Sequence, residues 1–316
     1  LSVKKLANLD SLVGVVFRST GSWYEVKSVT GKMYSCRLKG KFKIKGLKVT
    51  NPIAVGDEVV FELENENTGI IFDIKPRKNY IIRQSVHKTA HGHLLATNID
   101  QLVIIITLAH PRTSMGFVDR MLVTAETFRI PVLLVFNKKD LLDEEAIGFQ
   151  DELIEMYESL GYACISTSTV SKIGLESFKD KLKNKTSLLS GHSGVGKSSL
   201  INFIDPDLDL ATSEISTFAN KGVHTTTFAE MFELPGNIRI IDSPGIKELG
   251  LMDIDENELG HYFPEFRALL GECKFNNCHH INEPKCAIKD AVESGDIAES
   301  RYRSYLSMYE NYDNRR

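Results

Sequence analysis

The sequence predicts a multidomain chain in three parts: an N-terminal OB-like β-barrel, a central α/β domain with a parallel sheet, and a C-terminal, mostly helical domain gathered round clustered cysteines. Three observations predict it. Five short β-rich runs punctuated by Gly, Asn and Pro fill residues 13–74. Apolar strand-like runs alternate with helical segments from 99 onward, and one strand-to-helix junction reads GHSGVGKSSL, residues 191–200, the spacing of a phosphate-binding loop. Beyond 255, Cys273, Cys278 and Cys286 crowd together. The expected boundaries are 1–80 for the barrel, 81–98 for a linker, 99–254 for the α/β domain and 255–316 for the last domain.

The barrel strands are VGVVF (13–17), WYEVKSV (23–29), KMYSCRL (32–38), DEVVFEL (57–63) and GIIFDI (69–74). Residues 1–92 hold sixteen Lys or Arg against eight Asp or Glu, about +8, which leaves about −12 for the rest of a chain whose total is −4. The excess concentrates in KMYSCRLKGKFKIKGLK, 32–48, which contains no acidic residue and interleaves Tyr34, Phe42 and Ile44. Basic side chains and aromatics on a small barrel suit RNA, so Arg37, Lys39, Lys41, Lys43 and Lys45 are the candidate RNA-binding residues. Lysines that merely solubilise an edge strand have the same composition.

The polar stretch QSVHKTAHGHLLATN, 84–98, separates barrel from α/β domain. Its His87, His91 and His93 have no nearby Cys or acidic partner to complete a metal site. QLVIIITL, PVLLVF and YACIS then alternate with helical segments near 116–128, 143–160 and 174–185, the rhythm of a parallel sheet with crossover helices. QLVIIITLA, 101–109, is too short to cross a bilayer, and LSVKKLANLD lacks the apolar core of a secretory signal, so no membrane role and a cytoplasmic location are expected.

In the phosphate loop, Gly191, His192, Ser193, Gly194, Val195 and Gly196 offer backbone N–H groups to phosphate oxygens. Lys197 neutralises the β and γ phosphates, the Ser198 hydroxyl meets Mg²⁺, and Ser199 continues into a helix whose N-terminus favours the anion. Base reading falls upstream, in NKKD. Asp140 accepts from N1 and N2 of guanine, Asn137 braces the loop, and Lys138 packs along the base. Adenine presents the wrong pattern, so the nucleotide is GTP or GDP. Ser168 and Thr169, in ISTSTVSKIG, are placed to meet the guanine carbonyl through their backbone.

Downstream, HTTT (224–227) puts Thr225 or Thr226 on Mg²⁺ and the γ phosphate, and DSPG (242–245) puts Asp242 one ligand sphere out from the metal, with Gly245 closing the motif. The place after that glycine, where many GTPases carry a water-orienting glutamine, is Ile246; His224 is the in-chain candidate to position the water, or else a packed switch residue. The catalytic residues are thus read as His224, Lys197 and Thr226. Base reader, base contact, phosphate loop, switch one and switch two follow in that order, so the central domain is a circularly permuted α/β P-loop GTPase domain. The last domain carries Cys273, Cys278, His280 and Cys286, a closed set of three thiolates and one imidazole that suits one structural Zn²⁺; His279, directly after Cys278, is the weaker fourth ligand.

In family order, ATNIDQ, NKKD, GHSGVGKSSLIN, HTTT, DSPG, FPEFR, the zinc array, EPKCAIKDAVESG and RYRSYL resemble the RsgA family of circularly permuted, small subunit-dependent GTPases over nearly the whole chain. The chain is expected to be a monomer, and the resemblance implies that it binds the small ribosomal subunit and its rRNA late in maturation and hydrolyses GTP when stimulated by it. Two departures stand out: Val223, where a polar or basic residue is expected before HTTT, and Lys285, where glycine is common.

Overall fold

The computed structural model describes residues 11–40, 51–84, 92–208, 229–242 and 254–313. Their contacts divide them into two compact units.

The first unit begins with the barrel: β1 (Leu12–Ser19), β2 (Tyr24–Ser28), β3 (Met33–Leu38), β4 (Glu58–Leu63) and β5 (Thr68–Ile74). β1 pairs with β2, β2 with β3, β3 with β5, β5 with β4, and β4 returns to β1, so the sheet closes; only β3 and β5 run parallel. Closure follows from period-two alternation, which sends Val16, Tyr24, Val26, Tyr34, Cys36, Val59, Phe61 and Ile71 inward. Register shifts at Val16/Arg18 and Val60/Phe61 supply local curvature.

The range read as a linker holds all but the first residue of β6 (Tyr80–Gln84) and the whole of β7 (Gly92–Thr97), paired antiparallel. They dock on the barrel: Thr97 N–H donates to the Val55 carbonyl at 2.9 Å. Gly56, at φ +93°, sits so close that a Cβ there would stand 2.1 Å from the Thr97 carbonyl oxygen. Beneath them Arg77 grips buried Asp57 with Nε and Nη2, both at 2.7 Å. The polar stretch 84–98 hid the apolar residues Leu94, Leu95 and Ala96, which with Ile81 and Ile82 just before it are all buried.

The same unit holds β11 (Thr186–Ser190) up to Leu189, with β12 (Glu230–Leu234) and β13 (Ile238–Asp242). β13 runs parallel to β11 and antiparallel to β12. β12 meets β1 at Arg18↔Glu230, and Lys27 of β2 ion-pairs with Glu233, so contacts group these strands with the barrel.

The second unit contains the parallel strands β8 (Gln101–Ile106), β9 (Val132–Phe136) and β10 (Ala163–Ser166), with β9 central. β8 and β9 are buried throughout, as expected of strands covered on both faces. Around them lie α1 (Met115–Thr127), α2 (Glu144–Ser159), α3 (Leu175–Leu182) and α4 (Lys197–Ile204). Ser114 and Asp143 cap α1 and α2 by accepting from Phe117 N–H at 3.3 Å and Ala146 N–H at 2.9 Å. The C-terminal part of the chain adds α5 (Pro264–Arg267), α6 (Ala287–Ser294) and α7 (Glu299–Asp313) to this unit. Its core joins Phe263, Phe266, Ile288, Tyr305 and Met308 to Val123 of α1. Among the described residues no helix is long and apolar enough to cross a membrane.

Candidate functional site

The phosphate loop turns out of β11 and ends where α4 begins at Lys197. Gly196, the residue before the helix, has φ +97° and ψ 21°, and a Cβ on it would lie 2.3 Å from Asn137 Nδ2. Only glycine fits both the left-handed backbone and the close approach. Val195 is buried, while Ser193 and Gly194 are exposed at the tip. The Lys197 ammonium bends back over the loop and donates to the carbonyls of Gly191 at 2.9 Å and His192 at 2.8 Å. Ser198 is buried beneath it and Ser199 half-buried.

Asn137 leaves β9 and is nearly inaccessible at 2% exposure. Its Nδ2 donates to the Val195 carbonyl at 2.8 Å, while its Oδ1 accepts from Thr167 Oγ1 at 2.9 Å. One amide therefore joins the phosphate loop, the NKKD turn and the segment after β10. Lys138 takes the left-handed conformation, φ 65°, and its Nζ donates to the His110 carbonyl at 2.7 Å. The Ser168 hydroxyl donates to Asp140 Oδ1 and in turn accepts from the Val170 and Ser171 N–H groups at 3.2 and 3.0 Å. Asp140 thus has a neighbour that orients its carboxylate, and half-buried Thr169 lies next in line. Sequences 30 to 60 residues apart converge here because parallel strands deliver their C-terminal ends to one edge.

Asp242 closes β13, in register with Leu189 of β11. His224, Thr225, Thr226 and Gly245, with Ile246, lie outside the described residues. So do Lys41, Lys43 and Lys45. Of the remaining basic candidates, Lys39 is exposed, whereas Arg37 is already paired: Nη2 and Nε meet Glu64 at 2.5 and 3.2 Å. The run 32–48 carries no acidic residue, yet closing the barrel brings one from the β4–β5 turn.

The ligand atoms of Cys273, Cys278, His280 and Cys286 lie within 4.8 Å of one another. Cys273 and Cys286 sulfurs are 3.9 Å apart, and His280 Nδ1 lies 3.6 and 3.4 Å from them. A tetrahedral ion with Zn–S near 2.3 Å and Zn–N near 2.0 Å has edges of about 3.8 and 3.5 Å, so the residues fit zinc. Burial pushes the Cys278 thiol up to about 12 and raises Cys286 as well, and a bound cation would favour their thiolates. His279 is engaged elsewhere, its Nδ1 3.1 Å from the Tyr309 hydroxyl.

The turn carrying the imidazole is locked from both sides. Glu283 accepts from His279 N–H and Ile281 N–H, both at 2.9 Å. Burial pushes its carboxyl up, but the backbone donors outweigh this and hold it down at about 2. From α7, Tyr305 and Tyr302 donate to the His279 and His280 carbonyls, each at 2.7 Å. Lys285 has φ +58°, the left-handed region, which explains why glycine suits that place. Glu283 and the tyrosines were not singled out from sequence; the repeat Tyr302, Tyr305, Tyr309 at helical spacing was the available signal.

Residues 74–252 match the RsgA GTPase family, and residues 13–71 match the RsgA N-terminal domain. The chain belongs to the RsgA GTPase family. Proteins named small ribosomal subunit biogenesis GTPase RsgA from Christiangramia forsetii and Bacteroides fragilis are 55% and 49% identical to it. Each alignment covers 94% of this chain, and 95% and 96% of the relatives. YjeQ from Thermotoga maritima has a similar structure, with a TM-score of 0.78 and 35% identity over 97% of this chain and all of that one. YloQ, described as a circularly permuted GTPase, gives 0.74 and 28% identity over 98% of both chains. As an RsgA family member with the phosphate loop and NKKD turn joined through Asn137, the chain is a GTP hydrolase of circularly permuted order.

Proposed function

We propose that this chain binds the small ribosomal subunit and hydrolyses GTP during its late maturation, with turnover stimulated by the subunit. The observation that carries the nucleotide part is the double engagement of Asn137 with Val195 and Thr167, which unites base reader and phosphate loop in one site. Asp140 reads the guanine edge, Ser168 and Thr169 line its carbonyl side, and Lys138 flanks the base. Gly191 to Ser199 wrap the phosphates, with Lys197 released from its carbonyls to meet them. Mg²⁺, when bound, would supply charge neutralisation to the phosphates; Ser198 and Thr225 or Thr226 would hold it, and Asp242 and Gly245 would serve the same site. His224 orients the water. The barrel within 1–80, through Lys39, Lys41, Lys43, Lys45 and Arg37, meets rRNA, and the zinc domain at 255–316 follows the GTPase domain at 99–254. The protein works as a cytoplasmic monomer.

Phosphate release measured with and without purified small subunits tests this directly. Turnover that rises on adding subunits is expected. Turnover that stays negligible in both would instead make the protein an RNA-binding scaffold with GTP as a structural ligand. His224→Ala should retain GTP and subunit binding yet lose stimulated hydrolysis by on the order of 10²-fold or more; full stimulated turnover would move the water-positioning role to a group of the ribosome.

A further inference from the structure

α1 is engaged along its length by two different neighbours. Asp119, Val123 and Glu126, spaced i, i+4 and i+7, face the C-terminal elements. Asp119 meets Arg301 of α7, Val123 joins the cluster of Phe263, Phe266 and Tyr305, and Glu126 pairs with Arg267 of α5 at 2.9 Å. At the N-terminal end of α1, Phe117 lies against the imidazole of His192, with ring centroids 4.4 Å apart. The His192 carbonyl is one of the two that hold Lys197. The turn leading into α1 touches the site as well: His110 accepts from Lys138, and Pro111 Cδ lies 3.4 Å from where a Cβ on Gly194 would stand.

Arg301 is 1% exposed, and every part of its fork is committed. Nη1 donates to Asp119 Oδ1 at 2.5 Å, while Nε and Nη2 donate to Glu265 at 2.7 and 3.3 Å. The Tyr157 hydroxyl of α2 donates to the same Asp119 oxygen at 2.9 Å, and Phe263 lies 4.8 Å beneath the guanidinium. Such a network adds little stability over apolar packing of the same volume, but its geometry admits one register of the helices that share it.

We propose that Arg301 and Asp119 are positioning residues for the nucleotide: the pair locks α1 to the C-terminal helix, and α1 then presents Phe117 to His192 and the 107–113 turn to Lys138. The zinc domain and the phosphate loop are thereby coupled through one helix. The proposal rests on the reading that the phosphate loop holds the nucleotide. Coupling of this kind is reciprocal, so nucleotide must stabilise α7 as much as α7 favours nucleotide.

Hydrogen exchange on the unaltered full chain, with and without GDP, reads this without any substitution. GDP is expected to slow exchange in α1 and α7 as well as in the phosphate loop, and Phe117→Leu, with zinc retained, should remove the α7 part alone. Slowing confined to the phosphate loop and NKKD turn, with α7 unchanged, would overturn the proposal. No GDP effect anywhere would instead sink the nucleotide-site reading. Affinities give a second arm. Arg301→Lys keeps the charge but loses the fork, and it should weaken GDP binding about tenfold; Phe117→Leu should do the same, and the double variant should be no worse than about tenfold. Effects that multiply to about a hundredfold would show two independent lesions and overturn the proposal, as would an Arg301→Lys protein with native zinc content, native melting and unaltered GDP affinity.

Discussion

Asn137 Nδ2 donates to the Val195 carbonyl at 2.8 Å, fastening the NKKD turn to the phosphate loop across 58 residues of chain. Its Oδ1 is occupied by Thr167 at 2.9 Å, so both ends of the amide are used in a buried place. Asn137→Ala would leave a buried carbonyl and a buried hydroxyl without this partner. The expected loss is about 2 kcal/mol of stability and at least tenfold in GDP affinity, read by thermal melting and by titration with a fluorescent GDP. A variant that melts lower but binds GDP normally would reduce Asn137 to a packing role.

Asp140→Asn tests the base reader. In the proposed base site the carboxylate, oriented by the Ser168 hydroxyl, would accept from guanine and repel the 2-oxo group of xanthine, to which an amide could donate. Preference should pass from GTP to XTP by on the order of 10²-fold, as expected when a polar edge is mismatched in a site built for it. Competition between the two nucleotides measures it, and unchanged GTP preference would remove Asp140 from the base site.

Glu283→Gln should loosen the turn that carries His280. The folded carboxyl, at about 2, lies below its ordinary value near 4.3, so its contribution is present above about pH 4.3 and is lost as pH falls through about 2. At pH 7 the variant should lose about 1 kcal/mol, a figure already reduced for the partial exposure of the group, and the deficit should shrink on acidification towards pH 2. Chemical denaturation of the metal-free chain at several pH values separates this from any effect on metal binding. A deficit that is independent of pH would assign it to shape and not to charge.

Arg37, unlike the isolated charge its sequence context suggests, is paired with Glu64. Replacing Lys41, Lys43 and Lys45 together by Ala should weaken small-subunit binding and flatten its salt dependence, since each neutralised phosphate releases counterions. Arg37→Ala should change the slope less, because Glu64 already takes that charge at 2.5 Å. Binding titrations over a range of salt decide between these, and equal slopes for wild type and the triple variant would mark the lysines as a solvated face.

The sequence alone determined the features carried by local spacing: five barrel strands, the alternation of β8 to β10 with helices, the phosphate loop, NKKD and the Cys₃His array. Each is legible because a few contiguous residues must satisfy their own backbone or present ligands from one turn. Tertiary structure decided what depends on residues far apart in the chain. Asp119 and Arg301 are separated by 182 positions, and each alone reads as an ordinary charged residue on a helix. The Glu64 partner of Arg37 and the docking of β6 and β7 on Val55 likewise arise only when the barrel closes. Burial is the physical reason: a charge or a hairpin edge satisfied by water in the extended chain acquires its defining partner only when folding removes that water, and no local pattern records which distant group replaces it.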